Sequence, residues 1–134
     1  MTDLITFDRF VPDGILGETT LDYTPALASG WSRIFGSTPA GGASCDAEAA
    51  GIAVVMMMRA YLKVVTPRPP GNVHARQHFT LNTPPQIGES IRTVVRCLSK
   101  EMKRERRWVE LGVEGTGSGG RAIYAGTLTL IWAA

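Results

Sequence analysis

The chain has 134 residues, of which 44% are hydrophobic and 19% charged, with a net charge of +2. Globular sequences average about 45–50% apolar and about 25% charged residues, and a chain of this size buries roughly two-thirds of its unfolded surface, so one domain spanning 1–134 with a real core is expected. So small a net charge gives no reason to expect nucleic acid or a membrane surface as a partner, and Cys45 and Cys97, without CxxC spacing or a neighbouring histidine pair, suggest neither a disulfide framework nor a metal site.

The first ten residues, MTDLITFDRF, hold an acid at Asp3 and no basic segment leading into an apolar one, so they do not read as a signal peptide and a cytoplasmic location is the default expectation. Phe7, Phe10, Val11, Ile15 and Leu16 are interrupted by Pro12 and glycines, which predicts a short strand or extended arm. Thr24 followed by Pro25 then opens a helix, because proline's missing N–H costs nothing at the first helical position. Leu27, Trp31, Ile34 and Phe35 continue it at helical spacing.

Residues 36–44, GSTPAGGAS, are a loop by composition. Ser44 is the expected N-cap of a long helix over 44–65, with Asp46 and Glu48 near its positive end. From Ala49 to Met58 no strongly polar side chain occurs. That run is about half the ~20 residues that cross a bilayer and too apolar for a surface helix, so a buried central helix is expected, stopped by Pro67, Pro69 and Pro70.

Beyond the prolines the period becomes two. NVHARQHFTLN places Val73, Ala75, Gln77, Phe79 and Leu81 on one face and His74, Arg76, His78 and Thr80 on the other. SIRTVVRCLSKEM, RRWVELGVEG and RAIYAGTLTLIW follow, with TPPQIGES and GSGG as connections and KEMKRERR across a hairpin. Four such strands within 72–132 read as an antiparallel meander in sequence order, giving an α+β class with a sheet curved around one helix.

The order of elements resembles the hotdog fold, and more closely the MaoC-like branch of acyl-thioester hydratases and dehydratases. The similarity rests on TLDYTPALASGWSRIFGS, AGIAVVMMMRAYL, FTLNTPPQIGESIRTVVRCL and GSGGRAIYAGTLTLIW, the last with a glycine at Gly126 inside its strand. The strand, proline, glycine-acid, strand passage is shared with hotdog thioesterases. The resemblance implies an acyl thioester of coenzyme A or of acyl carrier protein as ligand, with coenzyme A or phosphopantetheine entering only as part of the substrate and no separate cofactor. It also implies a homodimer joined sheet edge to sheet edge.

MaoC-like enzymes use an Asp and a His in a D-x-x-x-x-N-x-x-H loop before the central helix; here residues 36–44 contain no Asp, Asn or His, and His74 and His78 come after the helix. The residues present instead are Asp46 and Glu48 as catalytic carboxylates, with Gly41, Gly42 and Gly51 as places where backbone can approach a carbonyl. Trp31 is a candidate wall of an acyl channel, and His74 and Arg76 are candidate contacts to coenzyme A phosphates. Three readings follow: a hydratase or dehydratase from the branch resembled, a thioesterase from the carboxylates present, and a silent binding or partner subunit from the missing histidine.

Overall fold

The structure, a computed structural model, describes residues 4–35 and 43–134, except for the side chains at 28, 31, 32, 34, 35 and 43–49. A turn of 3-10 helix at Phe7–Arg9 leads into strand β1 (Ile15–Asp22) and helix α1 (Pro25–Phe35). Helix α2 (Ala43–Val64) follows, then β2 (Val73–Leu81), β3 (Ser90–Lys103), β4 (Arg106–Thr116) and β5 (Ala122–Trp132). One antiparallel sheet takes all five strands in the order β1-β3-β4-β5-β2 and curves over α2, which is the hotdog arrangement expected from the sequence.

Local chemistry sets the boundaries. Thr24 Oγ1 accepts the Leu27 N–H at 3.2 Å, capping α1 one residue before Pro25. Helix α2 begins at Ala43, so Ser44 stands inside the first turn and not at the expected N-cap position. At the other end Arg68 Nη1 donates to the carbonyls of Leu62 and Val65 at 3.0 and 2.6 Å, satisfying acceptors that the helix leaves open, beside the run of prolines.

The core lies between α2 and the inner face of the sheet. Ile52, Ala53, Met56, Met57 and Tyr61 meet Ile91, Val95, Leu111, Val113, Leu128 and Leu130, all buried. Met56 and Met57 are therefore core residues, and Met58 packs against their edge. The N-terminal arm closes one end of the sheet: Phe10 stands edge-on to Trp132 at 4.9 Å, and Trp132 Nε1 donates to the Ile5 carbonyl at 2.7 Å.

Two expectations about the strands are corrected. The strands do not form a meander in sequence order: β2 pairs with β5 and leaves β3 to lie between β1 and β4. The reason is the connection, residues 82–89, which reaches about 26 Å when extended and can cross the ends of two strands, where a hairpin needs a tight turn. It is tied down on the way, since the N–H groups of Asn82 and Thr83 donate to the Ile123 carbonyl at 2.8 and 3.3 Å.

The two faces of β2 also differ from the simple alternation. His74 pairs with Leu130, yet Arg76 pairs with Thr129, so Ala75 sits in a bulge. One extra residue reverses the phase. His74 consequently shares the inner face with Gln77, Phe79 and Leu81, while Val73, Arg76, His78 and Thr80 lie on the outer face.

Candidate functional site

Two close approaches fix the course of α2. A Cβ on Gly17 of β1 would lie 3.0 Å from Val64, and one on Gly126 of β5 would lie 2.8 Å from the Met57 sulfur. Gly126 is therefore the place where the helix presses onto the sheet, and any side chain there would push Met57 away. Because β5 neighbours the edge strand β2 and β1 is the opposite edge, α2 runs from the β2 side toward β1 as its numbering rises. Its start belongs to the open β2 edge.

The helical repeat then separates the two candidate carboxylates. Position 46 precedes Ala53 by seven residues and Met57 by eleven, both fully buried, which places it on the meridian of α2 that faces the sheet. Position 48 precedes half-buried Val55 by seven and exposed Arg59 by eleven, on the outer meridian. The side chains of Asp46 and Glu48 are outside the described residues, as is that of Trp31 in α1, and Gly41 and Gly42 lie outside them altogether. The N–H groups of residues 43–45, in the first turn, have no intrahelical acceptor. Gly51, well inside α2, has its N–H committed to the helical ladder, so it offers small size and no free donor.

Polar groups on the inner face occur on the sheet as well. Tyr124 on β5 and Thr93 on β3 share a hydrogen bond inside the core, and Phe79 on β2 stacks on the Tyr124 ring at 5.9 Å. Burial, opposed in part by the bond to Thr93, pushes the Tyr124 hydroxyl up to about 12. It stays protonated at any physiological pH. Sequence alternation puts Tyr124 in phase with Leu128, but nothing in it marks Thr93, 31 residues away, as a partner.

The remaining candidates do not gather there. His74 and Arg76 are exposed on opposite faces of β2, so His74 leaves the face it was expected to share with Arg76 and His78, which stay together on the outer side. Arg76 instead lines an outer-face groove with Ser99, Glu101 and Glu110. Among the described residues, no group of three or more His, Cys, Asp or Glu could hold a metal ion. Cys97 is a buried free thiol whose Sγ lies 3.6 Å from the Ser99 carbonyl, and burial, only partly countered by Lys100, raises its pKa; the Cys45 side chain is outside the described residues. Among the described residues no helix is long and apolar enough to cross a membrane.

No protein-family model matches the sequence, and no curated protein matches it either. Solved structures do match in shape. A MaoC-like dehydratase from Rhodospirillum rubrum superposes with a TM-score of 0.78 over 96% of both chains at 11% identity. An (R)-hydratase from Pseudomonas aeruginosa, in unliganded form, gives 0.74 over 96% of this chain and 86% of its own at 14% identity. A hypothetical thioesterase from Streptococcus pneumoniae, solved with coenzyme A, gives 0.53 over 92% and 82% at 12% identity. At such identities the likeness establishes the hotdog fold.

Proposed function

We propose that the protein binds an acyl thioester of coenzyme A or acyl carrier protein and acts on it at the start of α2, as a homodimer joined along β2. What supports this reading is the helical register, which puts position 46 in phase with buried Ala53 and Met57 and directly after the first-turn N–H groups that have no internal acceptor. A carboxylate there can hold and deprotonate a water molecule, and a helix terminus favours negative charge developing on a thioester oxygen. The fold shared with MaoC-like dehydratases and an (R)-hydratase supports hydration or dehydration of an enoyl thioester as the leading activity. In that reaction water adds its oxygen to the β-carbon, its proton passes to Asp46, and the α-carbon receives a proton in turn.

A second reading, hydrolysis, is favoured by the sequence itself, because the first turns of α2 carry the carboxylates of Asp46 and Glu48, and neither they nor residues 36–42 include a histidine. The same water would then attack the carbonyl carbon, the C–S bond would break, and the proton taken by Asp46 would return to the departing thiolate. For the dimer, β2 is an edge strand with most of its residues exposed. Near it, Gly51, Val55 and Met58 form an apolar stripe, each half-buried, on the outer side of the first half of α2. Pairing two β2 edges would cover both.

The test is turnover of saturated and 2-enoyl thioesters by wild type, Asp46→Asn and Glu48→Gln. Loss of enoyl absorbance reports hydration and free thiol reports hydrolysis. Asp46→Asn should lower the rate at least a hundredfold with folding unchanged, and Glu48→Gln should leave it within about threefold. No turnover of any thioester, or an unimpaired Asp46→Asn enzyme, overturns the reading.

A further inference from the structure

The β3–β4 hairpin concentrates charge in a way the fold does not use. Residues 100–107, KEMKRERR, hold five cations and two carboxylates, more net positive charge than the entire chain, whose net is +2. Two of those cations are committed: Lys100 Nζ donates to the Phe7 carbonyl at 3.2 Å and Arg107 Nη1 to the Ala133 carbonyl at 3.3 Å. Lys103, Arg104 and Arg106 have no ion pair or hydrogen bond among the described residues, although Glu101 and Glu110 stand nearby.

These three line an open groove of about 430 Å³ together with the indole of Trp108. Its volume falls within the roughly 300–1,000 Å³ typical of small-molecule sites. A second groove of about 230 Å³ adjoins it, sharing Lys103 and Trp108 and adding Glu101, Glu110 and Arg76. The strand register explains the grouping. Trp108 pairs with Glu101 on one side and Ile131 on the other, and Glu110 with Ser99 and Thr129, so all face outward, away from α2.

The two grooves thus have a polarity. Unpaired cations crowd the hairpin end, a half-buried indole lies in the middle beside Glu101, and Glu110 stands at the far end near Arg76. A simple polyanion would be repelled by Glu101 and Glu110. A ligand with an anionic end, a flat ring and hydrogen-bond donors at its other end satisfies all three zones. We propose that the grooves form a nucleotide-binding site: phosphates on Lys103, Arg104 and Arg106, the base stacked on Trp108, and hydroxyl or amino donors directed to Glu101 and Glu110. The nucleotide comes either free or as the nucleotide end of coenzyme A. The site lies on the opposite face of the sheet from α2 and does not depend on the thioester reading.

Calorimetric titration with ATP, coenzyme A and inorganic pyrophosphate tests it, using wild type, Lys103→Ala/Arg106→Ala and Glu101→Gln/Glu110→Gln. Binding of either nucleotide, weakened at least tenfold by the alanine pair, supports the site, and the tighter of the two identifies the source. The glutamine pair should weaken the nucleotide and not pyrophosphate, which itself should bind at least tenfold less tightly than the preferred nucleotide. No nucleotide binding, affinity unchanged in the alanine pair, or pyrophosphate binding as tightly as the nucleotide overturns it. Turnover of acyl thioesters of N-acetylcysteamine, which carry no nucleotide, should be the same in the alanine pair as in wild type, so failure here and failure of the thioester reading are separable.

Discussion

Strand β4 joins two corners that handle charge in opposite ways. At its Thr116 end, Glu89 is buried and fully met: Arg121 Nη2 donates to Oε1 at 2.5 Å, the Gln86 N–H to the same oxygen at 3.0 Å, and the Ser118 N–H to Oε2 at 2.9 Å. At its Arg106 end, Lys103, Arg104 and Arg106 stand in solvent without partners among the described residues. The backbone differs as well. Gly117 allows Glu89 to press against the chain, since a Cβ there would fall 2.2 Å from Oε2. The hairpin tip instead places non-glycine residues, Arg104 and Glu105, at φ of 53° and 63°, where a two-residue turn usually has Asn-Gly. Charge inside the first corner supports the crossover from β2 to β3, while charge and strain at the second contribute nothing to stability and are available to a ligand.

The largest effect should come from breaking the first corner. Glu89→Ala leaves Arg121 and two N–H groups without their acceptor and should cost about 3 kcal/mol in urea unfolding, whereas Lys103→Ala should stay within about 0.5 kcal/mol of wild type. Equal costs at the two corners would remove the distinction. The same carboxylate should govern acid stability. Burial raises its pKa, but the bonds from Arg121, Ser118 and Gln86 outweigh that and leave it below the ordinary 4.5. A depressed native pKa means that its stabilisation is complete above 4.5 and is lost as pH falls from there through the native value. Unfolding monitored between pH 6 and 3 should show a steeper loss for wild type than for Glu89→Gln; parallel curves would contradict it.

A smaller effect is expected in the core, where Tyr124→Phe leaves the Thr93 hydroxyl unmet and should cost about 1–2 kcal/mol. Adding Thr93→Val should cost less than the sum of the two single changes, which a double-mutant cycle measures. A change of opposite sign is expected from Glu105→Gly, which relieves a left-handed residue and should stabilise by about 1 kcal/mol. Destabilisation by that glycine would mean that the hairpin tip is not strained.

Local signals carried most of the elements. Thr24–Pro25 opens α1, the apolar run predicts α2 to within a residue of Ala43–Val64, and KEMKRERR does span a hairpin. Long-range pairing was not legible in the same way. Nothing in TPPQIGES says that β2 crosses to β5, because the Glu89 partner, Arg121, is 32 residues further on. The bulge at Ala75 leaves no mark either, and a single unpaired residue was enough to part His74 from Arg76. For the site, sequence alone named both Asp46 and Glu48. Only the observed burial of Ala53 and Met57 distinguishes their helical positions.

The most direct measurement is amide hydrogen exchange with a non-hydrolysable acyl-coenzyme A thioether. Binding at the start of α2 beside a dimer edge requires added protection in residues 43–51 and 73–82. Exchange unchanged in both segments, or protection confined to residues 99–108, would contradict the assignment of the acyl thioester to the start of α2.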